Sequence, residues 1–271
     1  MKKDFLPIEK EVVQQTEDEF VEEHWSEKWH HQEVDYKEPV AVIGGSDQFR
    51  LLNKYLDILS SNCKVFDGGC GLGLWARYVA GRGFETVGWD ISRETIRRLQ
   101  ASFPEAHFSC GDIRKTNFPE NYFGLYYSWG VFEHFEEGPE RCFTEEARII
   151  EPGGYLLVSV PFQNIMHSRL MRKSLLDVDK YYKKGHGYEK NMRFYQWRLT
   201  QQELEQQMAM AGFDIIEIVP IEKREGIHRA LLEKWSILNE TAILPWLETG
   251  LEKLLPGNLV SHMIFAAARK R

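Results

Sequence analysis

Residues 65–76 read Val65-Phe66-Asp67-Gly68-Gly69-Cys70-Gly71-Leu72-Gly73-Leu74-Trp75-Ala76. An apolar run ends at an acid, turns through four glycines and enters a helical pattern. Glycines let the backbone approach a ligand where a Cβ would collide, and a helix start offers unpaired N–H groups to an anion. The same stretch satisfies the dinucleotide fingerprint, as Gly71-x-Gly73-x-x-Ala76. On its own, therefore, it indicates a strand–turn–helix nucleotide site without naming the nucleotide.

The pattern on either side extends this unit. Short apolar runs bounded by Gly or Asp alternate with amphipathic helices: Lys64–Phe66, a helix from Leu74, Thr86–Trp89, a helix from Arg93, His107–Ser109, Gly124–Ser128, a helix from Pro139, then Tyr155–Val160. Strand–helix alternation predicts a doubly wound, mostly parallel α/β sheet with crossover helices. The run Leu156-Leu157-Val158-Ser159-Val160 is apolar at both parities, as a strand covered on both faces should be. Two further acids fall on strand ends. Asp90 comes 17 residues after Gly73, where a carboxylate can accept both hydroxyls of a ribose. Asp112 comes 22 residues after Asp90. Three acids on successive strand ends suit an adenosyl cofactor with a net positive charge and no phosphate.

Composition limits the function classes. The chain has 271 residues, 43% apolar and 28% charged, ordinary values for one large globular domain with appendages. A net charge of −7 gives no general nucleic-acid signal. No apolar run approaches the roughly 20 residues that span a bilayer. The start leads into an acidic stretch rather than a secretory signal, and Cys63, Cys70, Cys110 and Cys142 form no C-x-x-C pair, so free thiols and a cytoplasmic protein are expected.

With these residues in place, the stretch from about Ser60 to Phe162 resembles a class I S-adenosylmethionine-dependent methyltransferase of the broad small-molecule group (type 11/12-like). The matching motifs run in order: Asp67-x-Gly69-x-Gly71-x-Gly73, Asp90, Gly111-Asp112-Ile113, Trp129-Gly-Val-Phe-Glu-His134, and Glu151-Pro-Gly-Gly154 before a strand. Tyr195-x-x-Arg198-Leu-Thr-x-x-Glu203-Leu and Ala211-Gly212-Phe213 are similar to the family's C-terminal half. The resemblance implies a Rossmann-like sheet of seven strands, the last from about His262 running antiparallel between the fifth and sixth. It implies that Asp67, Gly68, Gly69, Gly71 and Gly73 hold the methionine part of S-adenosylmethionine. Asp90 would bind the ribose, Ile91 would pack on the adenine, Asp112 would reach its amino group, and Ile113 and Trp129 would line the site. Two readings stay beside it: an NAD(P)-dependent oxidoreductase using the same turn, and a non-catalytic scaffold of the same fold.

His134, just after the fourth strand, is the candidate general base for an alcohol or phenol acceptor, because its unperturbed pKa suits proton transfer near neutrality. It is equally placed to shape the pocket only. Glu133 stands beside it. Some quinone-pathway methyltransferases are similar here but carry another Glu three residues before this pair; that position is Gly130, so no metal is expected.

Domain organisation follows the pattern. Residues 1–45 read as an N-terminal helical arm or lid, with ten acids against four lysines in residues 1–33 and Phe20, Val21, His24, Trp25 and Trp29 at helical spacing. Residues 46–161 form the cofactor-binding core. Residues 162–198 form an acceptor-side insertion with nine Lys/Arg against three acids, interleaved with aromatics. Its Lys183, Lys184, Arg193 and Tyr195 are candidate contacts to a small, anionic or glycan-like acceptor methylated at oxygen. The same basic charges would alternatively dock the acidic arm, with Trp25 and Trp29 closing on the cleft. Residues 199–271 complete the core, and a helical insertion at 226–255 carries an apolar stripe suited to packing or a homodimer contact.

Overall fold

The chain is seen in a computed structural model, which describes residues 1–7, 16–32, 38–166, 192–234 and 244–271. Strands are β1 (Lys2–Pro7), β2 (Lys64–Gly68), β3 (Glu85–Asp90), β4 (His107–Cys110), β5 (Phe123–Trp129), β6 (Ile150–Pro161), β7 (Met192–Arg198), β8 (Phe213–Ile221) and β9 (Met263–Lys270). Helices are α1 (Glu17–His30), α2 (Pro39–Ile43), α3 (Asp47–Leu56), α4 (Leu74–Gly81), α5 (Arg93–Ser102), α6 (Glu140–Ile149), α7 (Gln201–Met210), α8 (Lys223–Lys234), α9 (Leu244–Leu254) and α10 (Gly257–Val260). A 3₁₀ turn spans Phe132–His134.

The main sheet has seven strands in the order β4-β3-β2-β5-β6-β9-β8. The first five are parallel, and β9 runs antiparallel between β6 and β8. This is the arrangement that the family resemblance implied. Successive residues of β6 divide between the two faces: Leu156, Val158 and Val160 join the cluster of Phe66, Phe132 and Phe143, while Leu157 joins Leu52, Val79 and Phe265 on the other. Burial on both faces is why these strands read as continuous apolar runs. Strand order reverses between β2 and β5, and ligands bind in the crevice beyond the carboxyl ends at such a switch point.

The smaller sheet was not legible in the sequence. β1 pairs antiparallel with β7, so the first residues of the chain and the end of the basic insertion form one ribbon. An ion pair between Arg198 Nε and Asp4 Oδ2 (2.7 Å) and a hydrogen bond from Gln196 to Asp4 (2.9 Å) fasten it. The arm helix α1 starts with a capping box in which Thr16 and Glu19 satisfy each other's backbone N–H groups. Its length then lies along the core. Ser26 Oγ meets Ser92 Oγ at 2.9 Å, Arg98 donates to the carbonyls of Trp29 (2.9 Å) and Gln32 (2.7 Å), and Arg114 binds Asp18. Among the described residues no helix is long and apolar enough to cross a membrane.

The proposed dimer stripe falls partly outside the described residues. In α9, Trp246 and Leu254 stand about 80% exposed (81% and 80%), and Glu248 is buried, accepting from His228 Nδ1 (2.6 Å) and Arg224 Nε (3.3 Å).

Candidate active site

A cleft of about 580 Å³ opens over the carboxyl ends of β2, β3 and β5, within the range of small-molecule sites. The glycine turn builds its floor. Gly69 lies on the cleft with φ +81°, and a Cβ there would stand 2.3 Å from Val131 Cγ2. Only glycine fits that combination of backbone and space. Gly71, at φ +49°, sits under the indole of Trp29, whose Cζ2 would be 3.0 Å from an added Cβ. Gly68 ends β2, and Gly73 is the N-terminal boundary of α4. Gly73 has no side chain to cap α4, and Asp67 takes the Ala76 N–H from behind the turn.

Asp90 ties the turn to the second strand. Its Oδ2 accepts the Gly71 N–H and its Oδ1 accepts the Ser92 N–H, each at 2.9 Å, and it faces the cleft. Burial raises its pKa, opposed by these backbone donors. Asp67 is 2% exposed and lies behind the turn rather than on the cleft wall. Burial pushes its carboxyl up to about 8, against the Tyr127 phenol and the Ala76 N–H, and its Oδ2 lacks a partner of ordinary hydrogen-bond geometry. Ile91, Asp112, Ile113 and Trp129 all line the cleft. Asp112 is also gripped by Arg114, through Nε at 3.0 and 3.1 Å and Nη2 at 2.7 Å, and the same guanidinium holds Glu137 at 3.1 Å. One arginine thus joins the cleft rim to α1.

At the other end stand Glu133 and His134, both buried and both facing the cleft. The His134 Nδ1–H donates to the Tyr195 carbonyl at 2.8 Å, since a carbonyl can only accept. That fixes the tautomer and leaves Nε2 with its lone pair. Burial, helped by Lys28 and His24, lowers the His134 pKa to about 4, so the ring is neutral near pH 7. Burial likewise pushes the Glu133 carboxyl up to about 8. Among the described residues no cluster of three or more His, Cys, Asp or Glu side chains is placed to hold a metal ion.

The expected acceptor residues separate. Tyr195 lines the cleft, with its ring 5.1 Å from that of His134. Arg193, expected at the acceptor, is instead buried beneath α1. Its Nη2 donates to the Thr16 carbonyl (2.8 Å) and its guanidinium stacks 4.4 Å over Phe20. The β1–β7 pairing shifts register between Phe194 and Gln196, so Arg193, which regular alternation would put on the face of Tyr195, packs against the arm instead. Lys183 and Lys184 lie outside the described residues. The structure adds cleft residues that no sequence signal marked: Lys28 from α1, Glu222 at the end of β8, and Glu225 and Arg229 from α8. Glu222 holds φ at 56°, unusual for a non-glycine residue.

A glycine cradle, an acid on the second strand end and an apolar wall of Ile91 and Ile113 together define a nucleoside-type cofactor site at the switch point of a doubly wound sheet. Comparison with known proteins narrows that class. Residues 29–218 match the family described as "Methyltransferase domain", and the chain belongs to it, as a class I S-adenosylmethionine-dependent methyltransferase. Its cofactor is S-adenosylmethionine. This replaces the dinucleotide alternative.

The chain is similar to a Mycolicibacterium smegmatis protein described as "Probable S-adenosylmethionine-dependent methyltransferase", 27% identical over 100 residues, which are 36% of this chain and 37% of that protein. The match thus spans well under half of that curated relative. Among solved structures, the fold is similar to a phosphoethanolamine N-methyltransferase 2 of Haemonchus contortus in complex with phosphomonomethylethanolamine and S-adenosylhomocysteine (TM-score 0.60, 17% identity, 94% of this chain and 60% of that one). It is also similar to a methyltransferase structure from Methanosarcina mazei (TM-score 0.57, 20% identity, 81% and 96%).

Proposed function

We propose that this protein transfers a methyl group from S-adenosylmethionine to a hydroxyl of a small-molecule acceptor, with His134 receiving the hydroxyl proton. The observation that carries this reading is the contact of His134 Nδ1 with the Tyr195 carbonyl (2.8 Å), which makes Nε2 the acceptor nitrogen of a neutral ring on the cleft wall. The cofactor, when bound, supplies an electrophilic methyl on a sulfonium whose leaving group is a neutral thioether.

The chain's own residues have three tasks. The Gly69 turn and the start of α4 would take the methionine end, and Asp90 would accept the ribose hydroxyls while its existing bonds keep it oriented. Ile91 and Ile113 would enclose the adenine. Trp25 and Trp29 stack on each other at 5.6 Å, Trp29 over Gly71 and Trp25 against His134 at 4.8 Å, so α1 covers the cleft and excludes water. Alignment within such an enclosure supplies most of what a methyl transfer needs. His134 Nε2 would hold the proton. Its low basicity matches acceptor hydroxyls more acidic than simple alcohols, or deprotonation late in the transfer. Support for a small acceptor also comes from the Haemonchus structure, whose ligand phosphomonomethylethanolamine is a small polar molecule.

The test is His134→Gln. Methyl transfer should fall by roughly 10²–10⁴, the usual worth of a general base, with S-adenosylhomocysteine affinity retained. Unchanged turnover would remove His134 from the reaction. Binding of S-adenosylhomocysteine by the wild type with no turnover of any acceptor would favour the scaffold reading.

A further inference from the structure

The acceptor end of the cleft carries acids from three separate segments: Glu133 on the turn after β5, Glu222 at the end of β8, and Glu225 on α8. They are not equivalent. Glu225 is neutralised by Arg229, whose Nε donates to it at 2.6 Å. Glu222 accepts from Gln48 through Oε1 at 2.6 Å. Glu133 is 2% exposed, and its Oε2 has no hydrogen-bond partner among the described residues although the side chain faces the cleft. A buried carboxyl oxygen left without a donor costs free energy that a bound donor would recover.

The nearby cations Lys28 and Arg198 act on Glu133 through space and have contacts of their own. Lys28 Nζ sits 4.2 Å over the Trp25 ring, and Arg198 Nε pairs with Asp4. The walls around Glu133 are aromatic: Trp25, Trp129 and Tyr195, faces that attract a cation. Glu133 Oε2 thus lacks a hydrogen-bond donor. His134 Nε2 lies 3.8 Å from Glu133 Oε1. Two donors on neighbouring carbons of one small molecule therefore reach both groups at once.

We propose that this end of the cleft is a subsite for a protonated amine, and that the acceptor is a 1,2-amino alcohol whose ammonium is held by Glu133, with Glu222 behind it, while its hydroxyl lies at His134. The proposal rests on the reading of His134 given above. It replaces the anionic acceptor suggested by the basic insertion, since Arg193 turns away from the cleft and acids outnumber the cations Lys28 and Arg229 on the described wall.

The experiment compares two matched probes on the protein saturated with S-adenosylhomocysteine: 2-amino-1-phenylethanol, cationic near neutral pH, and the uncharged 1-phenylethane-1,2-diol. Binding is followed by calorimetry, without turnover. The wild type should bind the amine about tenfold or more tightly than the diol, Glu133 releasing its proton to solvent as the ammonium forms a charge-assisted hydrogen bond with it. Glu133→Gln, which keeps the side chain's shape, should erase that preference. Failure of the amine to bind, equal binding of the diol, or a preference that survives Glu133→Gln would each overturn the proposal. So would a Glu133→Gln variant that weakens S-adenosylmethionine relative to S-adenosylhomocysteine and leaves the amine untouched, because the carboxyl would then serve the sulfonium. None of these readouts depends on proton transfer to His134, so loss of the His134 reading by the His134→Gln assay is a separate result.

Discussion

Replacing Asp90 by Asn separates the two oxygens that hold the cofactor turn. In the wild type, Oδ2 takes the Gly71 N–H and Oδ1 the Ser92 N–H, both at 2.9 Å, in a side chain only 6% exposed. The amide keeps one acceptor and turns the other into a donor that faces an N–H. One hydrogen bond to a charged group is lost, about 1.5–3 kcal/mol, and a buried N–H is left unpaired. For a chain of this size each kcal/mol moves the melting temperature by about 2–4 °C, so the apo protein should melt roughly 3–12 °C lower. The ribose hydroxyls would meanwhile meet a neutral amide, and S-adenosylhomocysteine affinity should fall about tenfold, which corresponds to about 1.4 kcal/mol. Scanning calorimetry of the apo protein and isothermal titration with S-adenosylhomocysteine read the two effects separately. A lower melting temperature with unchanged affinity would leave Asp90 a structural tie only and place the ribose elsewhere. If neither quantity moved, the bonding deduced for the turn would be refuted.

Gly69→Ala should abolish measurable S-adenosylhomocysteine binding, because the new Cβ would meet Val131 at 2.3 Å in a backbone with φ +81°; retained binding in a titration would contradict the cradle. Arg114→Met should release Asp18 from Asp112 and Glu137, exposing residues 16–32 to limited proteolysis and weakening the cofactor analogue, whereas unaltered cleavage would detach the arm from the cleft's closure. In the apo protein, Glu133 keeps its proton up to about pH 8 while the unfolded chain loses it near the ordinary 4.5. The folded state then binds more protons, so this group's contribution is present below about pH 4.5 and is lost as pH rises to about 8. Glu133→Gln should flatten the decline of melting free energy across that window by up to about 1 kcal/mol per pH unit; an identical slope in the variant would show that Glu133 ionises normally.

Much of this site was legible because its parts are local. The strand–turn–helix unit at residues 65–76, the acids at the ends of β3 and β4, and the continuous apolar runs depend on neighbours within a few residues, so their spacing alone pointed to a parallel sheet and an adenosyl cleft. The β1–β7 ribbon was not, since Lys2-Lys3-Asp4-Phe5 carries little strand signal and its partner lies about 190 residues away. Arg193 and Tyr195 were read together as acceptor contacts, but a register shift of the β1–β7 ribbon between Phe194 and Gln196, which no local signal announces, gives them different surroundings. Glu222 reaches the cleft through a left-handed residue between β8 and α8, which no glycine announced. Lys28 is one charge among many on α1, and only the docking of that helix brings it over the cofactor cleft.

The measurement that bears most directly on the account is a calorimetric titration of the purified chain with S-adenosylhomocysteine and, in parallel, with NADH. One molecule of the thioether per chain, with a dissociation constant of about micromolar order and a raised melting temperature, is the expected result, because a ligand selective for the folded state must stabilise it. NADH should give neither heat nor shift. Binding of NADH without binding of the thioether would contradict the assignment of the cleft.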